Sequence, residues 1–427
     1  MSESVNTKRA DGTNRVVITG MGAISPAGLG VDALWNAVMD KRCCIKPITR
    51  FDTADYKVHI AGEIPDSEFD PTQHGISKKE ARRFERFVQY AIVASDEALA
   101  QSGLNMEEED ASRVGIVFGT GIGGIDELQS GFHSLENKGP NRVNPLFIPK
   151  MIGNIAPGMM AIRYGMKGEC LDIVTACASS ANAIGTAVRD IRHGYQDVVL
   201  TGGAEESVSP ICIAGFANLG ALSEEPDPTK ASLPFDARRG GFVAGEGAGA
   251  LVLESLEHAL ARGAKPLAEI VGYGVSGDAY HMTAPDPDGD GIYRAMRDAL
   301  AEGGFGPEDL GHLNAHGTGT HANDETESKA LLKLCGDELG RQVPVFSVKG
   351  STGHMLGGAG ALEAIVCALS LRNDLVPATV GFAEPDPACP VNVLTEAKRN
   401  YPQKVALSTN LGFGGHNACL ALAPYAD

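Results

Sequence analysis

The chain has no apolar run approaching the ~20 residues needed to cross a bilayer, so a helical membrane anchor is not expected. It is poor in positive charge: 36 Lys and Arg stand against 54 Asp and Glu, giving a net charge of −18. That balance disfavours nucleic acid as a partner. Paired cysteine spacing is missing too. Nine cysteines are scattered at positions 43, 44, 170, 177, 212, 335, 367, 389 and 419, with no Cys-x-x-Cys. This excludes a disulfide framework or a usual zinc finger and points to reduced thiols in a cytoplasmic setting. The first residues, MSESVNTKRADGTNR, contain no apolar stretch, so no signal peptide is expected and residues 1–13 read as a flexible tail.

What is abundant is glycine, 53 residues clustered between apolar runs, in a chain of 427 that is 43% apolar. Such a chain builds roughly two to three units of ~150 residues, and tight glycine turns between apolar segments suit an α/β protein. The order of elements repeats. ALAQSGLNMEEEDASRVGIVFGTG (98–121) is echoed by ALAEGGFGPEDLGHLNAHGTG (299–319), and VVITGMGAISPAG (16–28) by EIVGYGVSGDAYHMTAP (269–285). LDIVTACASSANAIGTAVRDIRHG (171–194) is matched by VFSVKGSTGHMLGGAGALEAIVCALSL (345–371), each reading as strand, small-residue turn and helix. The period is too long for a solenoid. The sequence therefore predicts two similar halves, 14–263 and 264–427, with the boundary near ARGAKP (261–266) and the strand-end turns of both converging on one site.

The third echo holds the first chemical question. Leu171, Ile173 and Val174 predict a buried strand; Ile184, Val188 and Ile191 recur at helical spacing; Cys177 sits between them among Ala and Ser. A small buried thiol can serve packing alone. At a helix N-terminus it can also serve as a nucleophile, because free N–H groups there favour the thiolate and can bind an oxyanion.

Two more turns carry titratable groups: NAHGTGTHANDETE (314–327) offers His316 and His321, and SVKGSTGHMLGGAG (347–360) offers Lys349 and His354. Each has a plain structural reading as a turn residue or a surface charge. The repeat places Cys177 and His354 at corresponding turns and His316 at the Gly-Thr-Gly echo, so the three are expected to meet. GTGIGG (119–124) lacks dinucleotide spacing, and His-x4-His is neither an i,i+4 helical pair nor a usual zinc spacing. A Cys-His hydrolase needs only one histidine. Two neutral imidazoles donating to one thioester carbonyl would stabilise an enolate, the requirement of a carbon nucleophile.

TACASS, NAHGTGTHANDETE, KGSTGHMLGGAGALEA, GFGGHN and PFDARRGGFVAGEGAGALVLE together resemble the elongating, type II β-ketoacyl-acyl-carrier-protein synthases over about residues 14–424. The resemblance implies a thiolase-like α/β fold, two similar halves in five layers α-β-α-β-α, and a homodimer without cofactor. It implies that Cys177 carries the acyl chain, that His316 and His354 promote malonyl decarboxylation, and that Lys349 orients them. The N–H groups of Cys177 and Phe413 would form the oxyanion hole, and Phe413 would gate acyl entry. Asp324, Glu327 and Glu363 would hold the lysine and histidine network; Thr318 and Thr320 would bind the pantetheine arm; Phe216 would line the entrance and Ile122 the acyl pocket. Lys79, Arg82 and Arg83, in SKKEARRFERFVQY (77–90), would dock an acidic acyl carrier protein, on a helix whose basic side also carries Arg86. No catalytic metal is implied. A structural monovalent cation would sit near Asn314, Glu363, Ser408 and Thr409, although this chain reads Thr409-Asn410-Leu411 where the family usually has Asn-Ser-Phe or Asn-Ser-Leu. A polyketide ketosynthase shares the chemistry, whereas the non-catalytic partners of such enzymes lack the cysteine.

Overall fold

The computed structural model describes residues 5–425. Ten strands carry the architecture: β1 (Val16–Ser25), β2 (Val114–Gly119), β3 (Cys170–Ile173), β4 (Val198–Glu205), β5 (Gly247–Ser255), β6 (Ala268–Gly277), β7 (Leu310–Asn314), β8 (Pro344–Phe346), β9 (Val405–Gly412) and β10 (His416–Ala423). The helices that position the site are α1 (Lys78–Ala81), α2 (Arg86–Ser102), α3 (Ser179–Arg192), α4 (Asp290–Gly303), α5 (His321–Cys335), α6 (Lys349–Thr352) and α7 (Ala359–Arg372).

The strands run β8-β7-β9-β10-β6-β1-β5-β4-β2-β3 across one continuous sheet, with the short strand Asn392–Val393 beyond β8. The two halves have the same order and the same pairing sense: parallel, parallel, antiparallel, antiparallel from the outer edge inward. They join where β1 pairs β6 at Val17–Glu269 and Ile18–Ala268. Helices α3 and α7 lie between the two half-sheets, while α2 covers the outer face of one and α4 with α5 that of the other. The result is the five-layered α-β-α-β-α arrangement.

The glycine-rich echoes have a packing cause. A Cβ at Gly20 or Gly22 of β1 would lie 2.0 and 1.9 Å from the Ala98 and Ala94 carbonyl oxygens of α2. At Gly272 and Gly274 of β6 it would lie 1.9 and 1.8 Å from those of Ala299 and Ala295 in α4. The same helix-on-strand contact, closed to within a side chain's width, is thus built twice. Between the sheets, α7 is buried on every face from Ala359 to Ala368, consistent with a helix apolar all round.

Three expectations change. Strand β3, expected to be buried, is an edge of the sheet, with Leu171 38% and the adjoining Val174 60% exposed on the single chain. Part of the presumed flexible tail is tied down: Arg9 Nη1 donates to the Val271 carbonyl (2.9 Å). Residues 1–4 of that segment lie outside the described residues. The stretch 77–90 is not one helix. α1 ends at Ala81, Phe84 turns into the core, and α2 starts at Arg86. Gln89 Nε2 satisfies the carbonyls left at the break, those of Phe84 (2.8 Å) and Ala81 (3.2 Å). Arg86 is therefore drawn inward, where it bonds Asp66 and the Tyr90 hydroxyl, instead of joining Lys79, Arg82 and Arg83 on the surface.

Candidate active site

Strand β3 leads into a 3₁₀ turn, Ala176–Ala178, before α3 begins. Ala176 takes a left-handed φ of 50°, a strained conformation for a residue with a Cβ. The surrounding small polar residues hold that turn. Ser179 Oγ donates to the Ala176 carbonyl (2.7 Å) and accepts from the Thr175 N–H (2.9 Å), and Asn182 Nδ2 donates to Thr175 Oγ1 (2.7 Å). The opposite half repeats the device at Leu356–Gly358, where Leu356 has a φ of 42°. Residue for residue, Cys177 then corresponds to Gly357, not to His354. The helical turn α6, between β8 and this 3₁₀ turn, places His354 ahead of the corresponding point.

Cys177, His316 and His354 nonetheless converge: a sulfur and two ring nitrogens lie within 4.8 Å of one another. The histidine rings meet edge to face, 5.0 Å between centroids at 85°. His316 follows β7 in a loop whose backbone is pinned by Glu327, which accepts from the N–H groups of His316 (2.8 Å) and Gly317 (2.7 Å). Lys349 is buried, paired with Glu363, and its Nζ lies 3.3 Å from His316 Nδ1. Because an ammonium can only donate, Nδ1 must accept, and the proton of neutral His316 is fixed on Nε2. Burial, then the Lys349 cation and His354, hold His316 well below the ordinary histidine range; burial and Lys349 do the same for His354. Both imidazoles are neutral at physiological pH. Neither ring nitrogen of His354 has a hydrogen-bond partner among the described residues, although both are buried.

The thiol behaves differently from the expectation that a helix N-terminus would favour thiolate. Burial pushes Cys177 up to about 12, against the pull of Lys349. In the free protein the sulfur therefore holds its proton, and a neutral imidazole stands ready to take it.

These groups open onto a cavity of about 270 Å³ lined also by Thr318, Thr320, Phe216, Phe242, Leu411 and Phe413. The Thr318 and Thr320 hydroxyls are 2.9 Å apart. Gly412 sits against the Cys177 turn, where a Cβ would come 2.4 Å from the Thr175 carbonyl oxygen, so β9 delivers Phe413 to the cavity that Cys177 lines. Phe413 is half-buried and precedes Gly414 and Gly415, both at positive φ. Ile122 does not line this cavity; on the single chain it is exposed, its N–H held by Glu205.

Of the three acids expected around the lysine and histidine network, Glu363 pairs with Lys349 and Glu327 holds the His316 backbone. Asp324 instead accepts from the Phe235 N–H (2.7 Å) and pairs with Arg239 (3.7 Å), tying α5 to the 235–239 segment. Glu205 was not singled out by the sequence. It is fully buried, accepts from the N–H groups of Gly121 (2.8 Å), Ile122 (3.2 Å) and Gly357 (3.0 Å), and so joins turns of both halves. Burial raises it to about 7. Its only sequence signal is an acid ending the apolar strand VVLTGGAE.

Two ion sites can be weighed on donor chemistry. Asn314 Oδ1 is buried without a partner among the described residues, Asn314 Nδ2 contacts the Glu363 carbonyl at 3.0 Å, and Ser408, paired with Asn314 across β7 and β9, reaches the Cys367 thiol; these oxygens fit a hard cation. Thr409 is also held at this loop, its hydroxyl donating to Glu327 (2.8 Å). His321, Glu325 and Asp386 also gather, but Arg239 already binds both acids, at 3.4 and 2.5 Å.

The sequence matches two family models: the β-ketoacyl synthase N-terminal domain over residues 13–259 and the β-ketoacyl synthase C-terminal domain over 267–383. It is 45% identical over 412 residues to 3-oxoacyl-[acyl-carrier-protein] synthase 2 of Synechocystis sp., covering 96% of this chain and 98% of that one. Among solved structures, the ishigamide ketosynthase/chain length factor superposes with a TM-score of 0.90 at 36% identity, covering 97% of this chain and 100% of that one. A type II polyketide ketosynthase, solved bound to a hexaketide and in complex with its acyl-carrier protein, superposes at 0.89 with 29% identity and the same coverage.

Proposed function

The chain belongs to the β-ketoacyl synthase family, and we propose that Cys177, His316 and His354 give it the activity of a 3-oxoacyl-[acyl-carrier-protein] synthase that elongates fatty acids by two carbons. The observation that carries the assignment of residues is the meeting of one thiol with two neutral, differently supported imidazoles in one cavity.

Cys177 Sγ attacks the acyl thioester of the first carrier protein. Its proton passes to a neutral imidazole and on to the departing carrier thiolate, leaving the acyl chain on sulfur. The malonyl thioester then enters, and its carbonyl oxygen accepts from His316 Nε2–H and from the N–H of His354. Carbon dioxide leaves, and the electron pair remains as an enolate held by those two donors. The enolate carbon attacks the acyl-Cys177 carbonyl, whose oxyanion is bound by the N–H groups of Cys177 and Phe413. Collapse expels the Cys177 thiolate, which takes one proton from solvent, and releases the β-ketoacyl thioester. Lys349 fixes the His316 tautomer, and Thr318 and Thr320 bind the pantetheine amides. No step needs a cofactor or catalytic metal. A monovalent cation at Asn314, Glu363 and Ser408 would brace the loop behind His316 without entering the reaction.

Incubation with malonyl-carrier protein and acyl-carrier proteins of graded length tests this reading. Products two carbons longer, with one carbon dioxide released per turn, are expected by mass spectrometry; hydrolysis of the acyl-enzyme alone would overturn it. The polyketide alternative is disfavoured by the greater identity to the fatty-acid enzyme, and growth beyond one extension without reduction would reinstate it.

The partners follow from the surface. Lys79, Arg82 and Arg83 are exposed, and no ion pair engages them among the described residues. On a chain at −18 they offer a local attraction for an acidic carrier protein. Arg82→Glu with Arg83→Glu should raise the KM for carrier-bound substrate, spare a short pantetheine thioester, and abolish the salt sensitivity of the carrier reaction. Equal losses with both substrates would refute the docking role. A homodimer fits the free edge at β3, where Leu171, Val174 and Ile162 are 38%, 60% and 75% exposed. No helix among the described residues is long and apolar enough to cross a membrane, and the reading places the enzyme in the cytoplasm. Within the chain, residues 14–263 supply the nucleophile and 264–427 the histidines and lysine.

Phe413→Ala gives a further check. As a gate it should lose turnover with little change in Tm; a large drop in Tm with unchanged turnover per folded molecule would make Phe413 a packing residue.

A further inference from the structure

We propose that Glu169, Asp190 and Gln196 form a binding site for a hard divalent cation, of the calcium type, at the far end of the two elements that carry Cys177. The three residues line one surface cleft together with Tyr195. Glu169 immediately precedes β3, Asp190 lies in the last turn of α3, and Gln196 precedes β4. The two acids are neighbours in that cleft.

Neither acid enters an ion pair among the described residues, and the neighbouring arginines are engaged elsewhere. Arg113 binds Asp197 at 2.7 Å, Arg189 stacks 4.6 Å above the Tyr273 ring, and Arg192 bonds Glu302. Asp190 Oδ2 is buried without a partner. The second, independent sign is Gln196. Its side chain is 8% exposed, yet its Oε1 has no hydrogen-bond donor. That oxygen lies over the chain just before Glu169, so close to Gly168 that a Cβ there would come within 2.2 Å. Two facing carboxylates and an unsatisfied amide carbonyl are oxygen donors only, the set a hard cation prefers, with water completing the shell. Buried polar oxygens call for a partner, and a cation in the cleft supplies one. The bound ion would clamp the entry of β3 to the exit of α3, the strand and helix on either side of the nucleophile turn.

Isothermal titration of the full-length protein with CaCl2 at pH 8, after exhaustive treatment with chelator, tests the site. One ion per chain should bind. Saturating calcium should raise Tm by about 2–3 °C when held a hundredfold above Kd. Glu169→Gln and Asp190→Asn should each weaken binding at least tenfold and remove the Tm response. Gln196→Leu, which keeps both acids, should weaken binding while leaving the fold intact. KCl at equal ionic strength should have no such effect. No heat and no Tm change with millimolar calcium would overturn the proposal. So would calcium binding unchanged in the three variants, or variants that gain stability without any calcium response in the parent, which would leave a shared proton as the sole bridge.

Discussion

Cys177→Ala should abolish condensation and leave the protein folded. The expectation of a near-complete loss comes from chemistry, since no other group at the cavity can carry the acyl chain as a thioester. The expectation of an intact fold comes from packing, since the change removes one sulfur from a turn whose geometry is held by Ser179, Asn182 and Thr175. Intact-mass measurement after exposure to acyl-carrier protein should show one acyl group on the parent chain and none on the variant. Acylation at another of the nine cysteines would refute the assignment. The thiol's environment adds a signature. Burial raises its pKa to about 12, so the thiolate fraction, and with it the rate of iodoacetamide labelling at Cys177, should climb throughout the alkaline range. A plateau near pH 7 would mean that the helix terminus and Lys349 outweigh desolvation.

His316→Ala and His354→Ala have the second largest expected effect, and a different character. Each should still accept an acyl group on Cys177, yet lose ~10²–10³ in malonyl decarboxylation, the usual cost of one preorganised donor to a developing oxyanion. The two are not equivalent. His316 is tied to Lys349 at 3.3 Å, whereas His354 has no partner on either nitrogen among the described residues. Lys349→Met should therefore reproduce much of the His316 defect, because the freed ring can turn its lone pair toward the substrate, and should leave acylation of Cys177 in place. Decarboxylation at the parent rate in either histidine variant would remove that residue from the enolate site.

The repeat was legible because its cause is local. Gly20, Gly22, Gly272 and Gly274 are each forced by a helix carbonyl less than a Cβ away, so the echo in sequence is the image of one contact made twice. The convergence of Cys177 with the histidines was legible for the same reason, although the register of the repeat was not: a short inserted helix, α6, displaces His354 from the counterpart of Cys177. Glu205 and the true partners of Asp324 were hidden, because a buried carboxylate that collects backbone N–H groups from distant turns leaves no periodic mark. The break between α1 and α2 was hidden too. A charge-rich stretch reads as one helix until the burial of Phe84 and the inward pull on Arg86 are known.

The middle layer has a consequence for biosynthesis. Helix α3 is complete once residue 192 has been made, but its neighbour α7 begins at Ala359, and Gly360 packs against Ala181 so closely that a Cβ would lie 2.9 Å away. While the ribosome is still translating the second half, the first presents an apolar helix face with nothing to cover it. It cannot reach its final packing until β9 and β10 have been added. The nascent chain must therefore be kept from sticking to its neighbours for nearly the whole of its synthesis, and either half made by itself would face the same exposure permanently.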